Sequence, residues 1–290
     1  MIRAVALVVL ATRIALAEPM TTDAIAAQVQ FGVTDAPFDV TPLPAAKGQA
    51  FVFTLAGSYA PAPRLTLGAH APVVLASVAQ PAGSYVDSTT LGNPQLRAAM
   101  RWFDESSGDA RLAIASGVEL GIPLAGHSPN LVENRALAIA NGIAGLAAPE
   151  LFTPGVVPIT AFAEAGWSSG RWRIDATLRI PLLLRFSDAD LPAETSTPRT
   201  VGIASVVGAE ARRQLTKRLA VAAGAQVALE LAPSVEHVRN ISRWQDLERV
   251  GLGIRLARSA SLLIEAQGAL GGPVGGSTLA LGVRAVLLLP

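Results

Sequence analysis

Residues 171–186, RWRIDATLRIPLLLRF, alternate with a period of two, and this leaves the chain few folds to choose from. Trp172, Ile174, Ala176, Leu178, Ile180, Leu182, Leu184 and Phe186 share one face. Arg171, Arg173, Asp175, Thr177, Arg179, Pro181, Leu183 and Arg185 share the other. Successive side chains of a strand point to opposite sides, so a strand separates the two sets while a helix mixes them. The same rhythm carries Leu65, Leu67, Ala69, Ala71, Val73 and Leu75, and later Leu279, Leu281, Val283, Ala285 and Leu287. Read through the chain, it predicts twelve strands: 24–33, 50–59, 62–76, 92–104, 109–124, 157–168, 171–186, 199–213, 217–232, 246–257, 260–271 and 277–289.

The connections between these strands alternate in length. Short ones fall near 60–62, 105–108, 169–170, 214–216 and 258–259, and long ones at 34–49, 77–91, 125–156, 187–198, 233–245 and 272–276. Transmembrane barrels have short periplasmic turns and long extracellular loops, whereas a soluble sandwich has no reason to alternate. The alternation also puts both termini at the short-turn side, which requires an even strand count. Tyr59, Trp102, Phe103, Trp167 and Trp172 sit beside short turns, and Tyr85, Phe186 and Trp244 beside long loops. Amphipathic rings gather in this way at the two membrane interfaces.

Hydropathy fits the same fold. Hydrophobic residues make up 51% of the chain and its mean hydropathy is +0.43. Yet no apolar run reaches the ~20 residues of a spanning helix, so a closed barrel is the spanning structure left. Arg3, the apolar stretch Ala4–Ala11 and Ala15-Leu16-Ala17 read as a secretory signal peptide over 1–17, leaving 18–290 as the barrel. The expectation is an all-β, antiparallel transmembrane barrel of about twelve strands in a bacterial outer membrane. Its expected partners are membrane lipids, the barrel-assembly machinery and a small solute. A net charge of +1 gives no electrostatic case for nucleic acid, and the absence of cysteine excludes disulfides and thiolate metal sites.

In a membrane barrel the polar face lines the lumen. The residues expected there are Arg97, Arg101, Arg111, Arg173, Arg179, Arg185, Arg212, Arg249, Arg255 and Arg284, with Glu119, Glu164, Asp175, Glu210, Glu230 and Glu265. Ten arginines face six carboxylates, an excess of four positive charges. Part of this set pairs across strands, and the surplus favours anionic solutes if a water path exists. Gly68, Gly117, Gly121, Gly202, Gly208, Gly224, Gly251, Gly253 and Gly282 share this face, either leaving room for solute or letting long arginines pack.

The longest connection, 125–156, contains the apolar stretch NLVENRALAIANGIAGLAA, where Asn130 would cap a short helix bearing Leu131, Arg135, Ala138 and Gly142 on one side. It is either a constriction folded into the barrel mouth or a loop resting on the outer rim. Catalytic motifs are absent. His70, His127 and His237 lack metal-ligand spacing, and there is no G-x-S-x-G elbow, P-loop or dinucleotide fingerprint. No cofactor, metal or enzymatic activity is expected.

The stretch Leu91-Gly92-Asn93-Pro94-Gln95-Leu96, leading to Arg101-Trp102, resembles outer-membrane transporter-like barrels associated with phenol-degradation operons. Leu120-Gly121-Ile122-Pro123 resembles that family's strand end before a long loop. The resemblance implies uptake of small aromatic or hydrophobic compounds. The sequence thus supports a passive channel for a small hydrophobic or anionic solute. Its competitors are a closed structural barrel and, further off, an outer-membrane hydrolase.

Overall fold

Alternation on this scale leaves every strand with one apolar face and two open edges, and closing the sheet on itself removes the edges. The computed structural model describes residues 24–36, 46–80, 83–125, 131–144, 148–186, 196–198, 201–232, 235–237, 244–272 and 275–288. The leader expected over 1–17, Asn130, His127 and the last two residues lie outside them. The strands are β1 (Ala24–Ala36), β2 (Ala46–Ala62), β3 (Leu65–Ala79), β4 (Tyr85–Leu91), β5 (Gln95–Ser107) and β6 (Ala110–Gly121). Two helices follow, α1 (Leu131–Ile143) and α2 (Pro149–Phe152). Then come β7 (Val156–Ser169), β8 (Trp172–Arg185), β9 (Ser196–Pro198), β10 (Val201–Gln214), β11 (Leu219–Ala232), β12 (Val235–His237), β13 (Trp244–Arg255), β14 (Ala260–Gly268) and β15 (Leu279–Leu288).

The wall runs β1-β2-β3-β5-β6-β7-β8-β10-β11-β13-β14-β15 and returns to β1, so twelve antiparallel strands close the barrel. Closure falls on the faintest strand of the sequence reading: Ala24 pairs with Ser58 on one side and Leu288 on the other. Ala24, Leu288 and the short turns share one end of the barrel. Gly108 and Gly170 sit in two of those turns with φ of 61° and 54°, a left-handed conformation that glycine adopts without steric cost.

The long connections hold more structure than their composition suggests. The expected loop 77–91 contains β4, which pairs with β3 through Val73↔Leu91 to Ala79↔Tyr85. The expected strand over 92–104 begins only at Gln95, after a break at Gly92–Pro94, and runs on to Ser107. Two further loops contribute β9 and β12, which pair with each other. Pro94 has no N–H to give a ladder, which fits the break. Among the described residues β4 pairs with β3 alone.

The two faces of the wall are chemically distinct. Leu96, Val118, Leu231, Val250 and Leu281 on the outside are more than half exposed. An apolar surface so extensive is unusual on a soluble monomer and suits a lipid-facing wall. The opposite face is buried inside. On the loop-end halves of β2 and β3 it is apolar, with Ala50, Val52, Val74, Ala76 and Val78 pointing inward, while nearer the short turns the same face of β3 carries Thr66 and His70. On β5 to β15 it carries the charges.

Candidate functional site

Helix α1 lies inside the barrel against the inner faces of β1, β2 and β3. Ala136, Leu137, Ile139, Ala140 and Ile143 are buried and form one apolar cluster with the inward residues of β2 and β3. The amphipathic face expected from Leu131, Arg135, Ala138 and Gly142 is replaced by near-complete burial from Ala136 onward, because the helix is surrounded by wall. Glycines make the fit. A Cβ on Gly32 would sit 2.8 Å from Ile143 Cγ1, and one on Gly48 would sit 2.7 Å from Ile139 Cδ1. Gln267 Nε2 donates to the Ile143 carbonyl at 2.8 Å, tying the helix end to β14. The segment 125–156 therefore enters the barrel mouth rather than resting on the rim.

Asn93, at the break between β4 and β5, pins this insert. Its amide donates to the carbonyls of Glu150 (3.0 Å) and Thr153 (2.9 Å), and its Oδ1 accepts from Ala125 N–H (2.9 Å). One fully buried side chain thus holds both ends of the insert. Glu150 on α2, also fully buried, meets Arg179 Nη2 at 2.7 Å. Burial pushes the Glu150 carboxyl above its ordinary range, and the Arg179 guanidinium pulls the other way.

Below α2 the expected charged residues come together in sets. Glu119 bridges Arg97 (3.0 Å) and Arg179 (2.6 Å), and Arg97 also reaches Glu164 at 2.7 Å and stacks 3.8 Å over the Phe162 ring. Arg101 and Arg111 both bind Asp104, at 2.6 and 2.7 Å. A β-bulge between Arg101 and Phe103 returns Asp104 to the inner face, where strict alternation would have turned it out. Farther round, Arg173 pairs with Asp175, Arg212 and Arg249 with Glu210, and Arg284 with Glu265. Glu230 and Arg185 are half-buried nearer the loop end, and Arg255 is exposed at the short-turn end.

The inner glycines are filled by this network. A Cβ on Gly282 would lie 2.9 Å from Glu265 Cγ, one on Gly224 3.2 Å from Arg249 Nε, and one on Gly166 3.1 Å from Asp175 Oδ1. Buried carboxylates so flanked can accept arginines from neighbouring strands. Asp104 and Glu150 were not in the sequence reading of the interior, and they cut its excess of four positive charges to two. The surplus gathers at the short-turn end, where a cavity of about 260 Å³ opens between β8, β10, β11, β13, β14 and β15. Among the described residues no group of three or more histidines and carboxylates is placed to hold a metal.

A closed, even-stranded barrel with an apolar outer wall, a charged interior and an inserted loop has the fold of an outer-membrane β-barrel. Solved structures bear this out at the level of fold. An outer membrane channel from Pseudomonas putida F1 superposes with a TM-score of 0.65 at 13% identity, covering 94% of this chain and 97% of its own. The NanC porin gives 0.53 at 8% identity, covering 91% and 100%. The transport unit of the autotransporter AIDA-I from Escherichia coli gives 0.50 at 11% identity, covering 96% and 93%. No family model matches the chain, and no curated protein matches it in sequence.

Proposed function

We propose that this protein is a passive channel of a bacterial outer membrane for a small hydrophobic or anionic solute, exported by way of residues 1–17. The observation that carries the reading is the division of the barrel interior. An apolar insert fills one side of the loop end, and an arginine-rich belt leads to an open cavity at the short-turn end. Twelve strands enclose a narrow lumen, so the solute is small. The lumen arginines set the preference among solutes. The two structural neighbours whose names describe a channel and a porin support this reading. The resemblance around Leu91–Leu96 favours an aromatic or hydrophobic compound as cargo.

Conductance in planar bilayers tests the proposal. A narrow channel gives small unitary currents, and deleting 130–148 enlarges them. With a salt gradient the reversal potential favours anions. The same buried insert and ion pairs also favour a second reading, a sealed structural barrel. No current from either protein at any salt concentration would establish that reading instead.

A further inference from the structure

The cavity at the short-turn end has the composition of a binding site. Arg173, Arg212 and Arg284 line it from within, with Arg171, Lys217, Arg218 and Arg255 at its rim, and none of the described residues lining it is acidic. The carboxylates that hold three of these arginines sit behind them. On β8, β10 and β14 the residues Asp175, Glu210 and Glu265 lie farther from the short turns than the arginines of β8, β10 and β15 that they hold, and the side chains of Arg173 and Arg212 stay about a fifth exposed. Arg173 and Arg212 are also cross-strand partners, as are Asp175 and Glu210, giving two stacked rungs of like charge. Arg173 spends its Nε on Asp175, and Arg212 binds Glu210 through Nη2 while its own buried Nε has no hydrogen-bond partner. Donors held in place in this way lose little freedom when an anion arrives. The remaining lining combines apolar Leu263, Val286 and Ala220 with polar Ser168, Gln214 and Ser261.

We propose that this cavity binds a small amphipathic anion, with its carboxylate or phosphate head on Arg173 and Arg212 and a short apolar body against Leu263 and Val286. The inference deepens the channel reading and rests on it for placing the short turns at the periplasmic side. A volume of about 260 Å³ is below the ~300–1,000 Å³ of drug-sized pockets, so the ligand is small. Low-dielectric walls around like charges concentrate the positive potential, which draws the anion in and excludes cations of the same size.

Isothermal titration calorimetry supplies a readout that needs no transport. The probe is hexanoate. It is titrated into the full-length folded barrel in detergent at fixed ionic strength. The heat is expected to saturate and to be absent with hexylammonium. Arg212→Gln, which leaves Glu210 paired with Arg249, removes a head-group donor and raises the half-saturating concentration about tenfold, the equivalent of ~1.4 kcal/mol. Heat-modifiable gel migration establishes that each variant is folded. Hexanol reports simple partitioning into the micelle. The proposal is overturned if the alcohol titrates with the same curve, if hexylammonium binds as tightly as hexanoate, or if Arg212→Gln binds as tightly as the parent. Bilayer conductance is recorded on the same protein, so a conducting barrel that ignores the probe refutes the site and leaves the channel standing.

Discussion

Glu265 is the place to test whether the charge belt is structural. Its side chain is 3% exposed and that of Arg284 is 5% exposed, with Arg284 Nη2 3.2 Å from both carboxylate oxygens. Gln28 Nε2 adds a third contact at 3.2 Å. Glu265→Gln keeps the shape and removes the charge, which leaves the Arg284 guanidinium buried without its countercharge. Breaking a buried pair in this way costs about 3–5 kcal/mol, and the lower end applies because the amide retains a neutral hydrogen bond. With a urea slope of about 3 kcal/mol/M, the unfolding midpoint falls by roughly 1 M. Tryptophan fluorescence of the barrel in lipid vesicles follows the transition. Glu265→Leu with Arg284→Met removes both charges and recovers most of the loss, since a well-packed apolar pair of similar volume often matches a buried ion pair. A single variant within about 0.2 M of the parent would refute the reasoning. So would a double variant as unstable as the single, because the loss would then come from packing rather than charge.

Other perturbations report on the insert. Asn93→Ala removes three hydrogen bonds to the backbone and leaves buried groups unpaired, costing about 3 kcal/mol; hydrogen exchange at the Ala125 amide should rise sharply while the distant β13 amides keep their protection. Gly48→Val places a Cβ 2.3 Å from the Ser77 carbonyl oxygen, an overlap that backbone cannot relieve cheaply, so the barrel loses roughly 1–3 kcal/mol or expels α1, which shows as larger unitary currents. Glu150 gives the insert a pH dependence. Its docked pKa is raised above the ordinary 4.5 by burial, so docking is favoured at low pH and weakens as pH climbs through the docked value. Conductance should therefore increase with pH in the parent and stay flat in Glu150→Gln; a parent that is flat as well contradicts this account.

Most of the wall was legible because alternation fixes both the strands and which face is buried. Residues 172–185 keep the pattern from end to end, and β1 was found through the even count that closure demands. What escaped is instructive. β4, YVDSTTL, is exposed on nearly every residue, so no apolar face marks it, and it exists because β3 extends beyond the wall and offers an edge. Asp104 was hidden by a bulge, which reverses the parity on which face assignments depend. Glu150 and Asn93 act through contacts across 57 or more positions or between a loop and the wall, which no local spacing encodes. The glycines could be read as space but not as occupied space. Their neighbours, a glutamate on the adjacent strand at Gly282 and an isoleucine of α1 at Gly48, decided the question.

The unpaired edge of β4 also fixes where the bilayer meets the protein. Hydrocarbon offers no partner to a bare N–H or carbonyl, and each one left there costs several kcal/mol. The apolar slab must therefore end at or below the break at Gly92–Pro94. The 13 residues of β5, at ~3.4 Å each and tilted by ~40°, rise about 34 Å from the short turns, enough for the ~25 Å band of such barrels. Everything beyond Gly92, including the β3–β4 hairpin, then stands as a fin in the outer headgroups, where the long sugars of a bacterial surface would be its nearest neighbours.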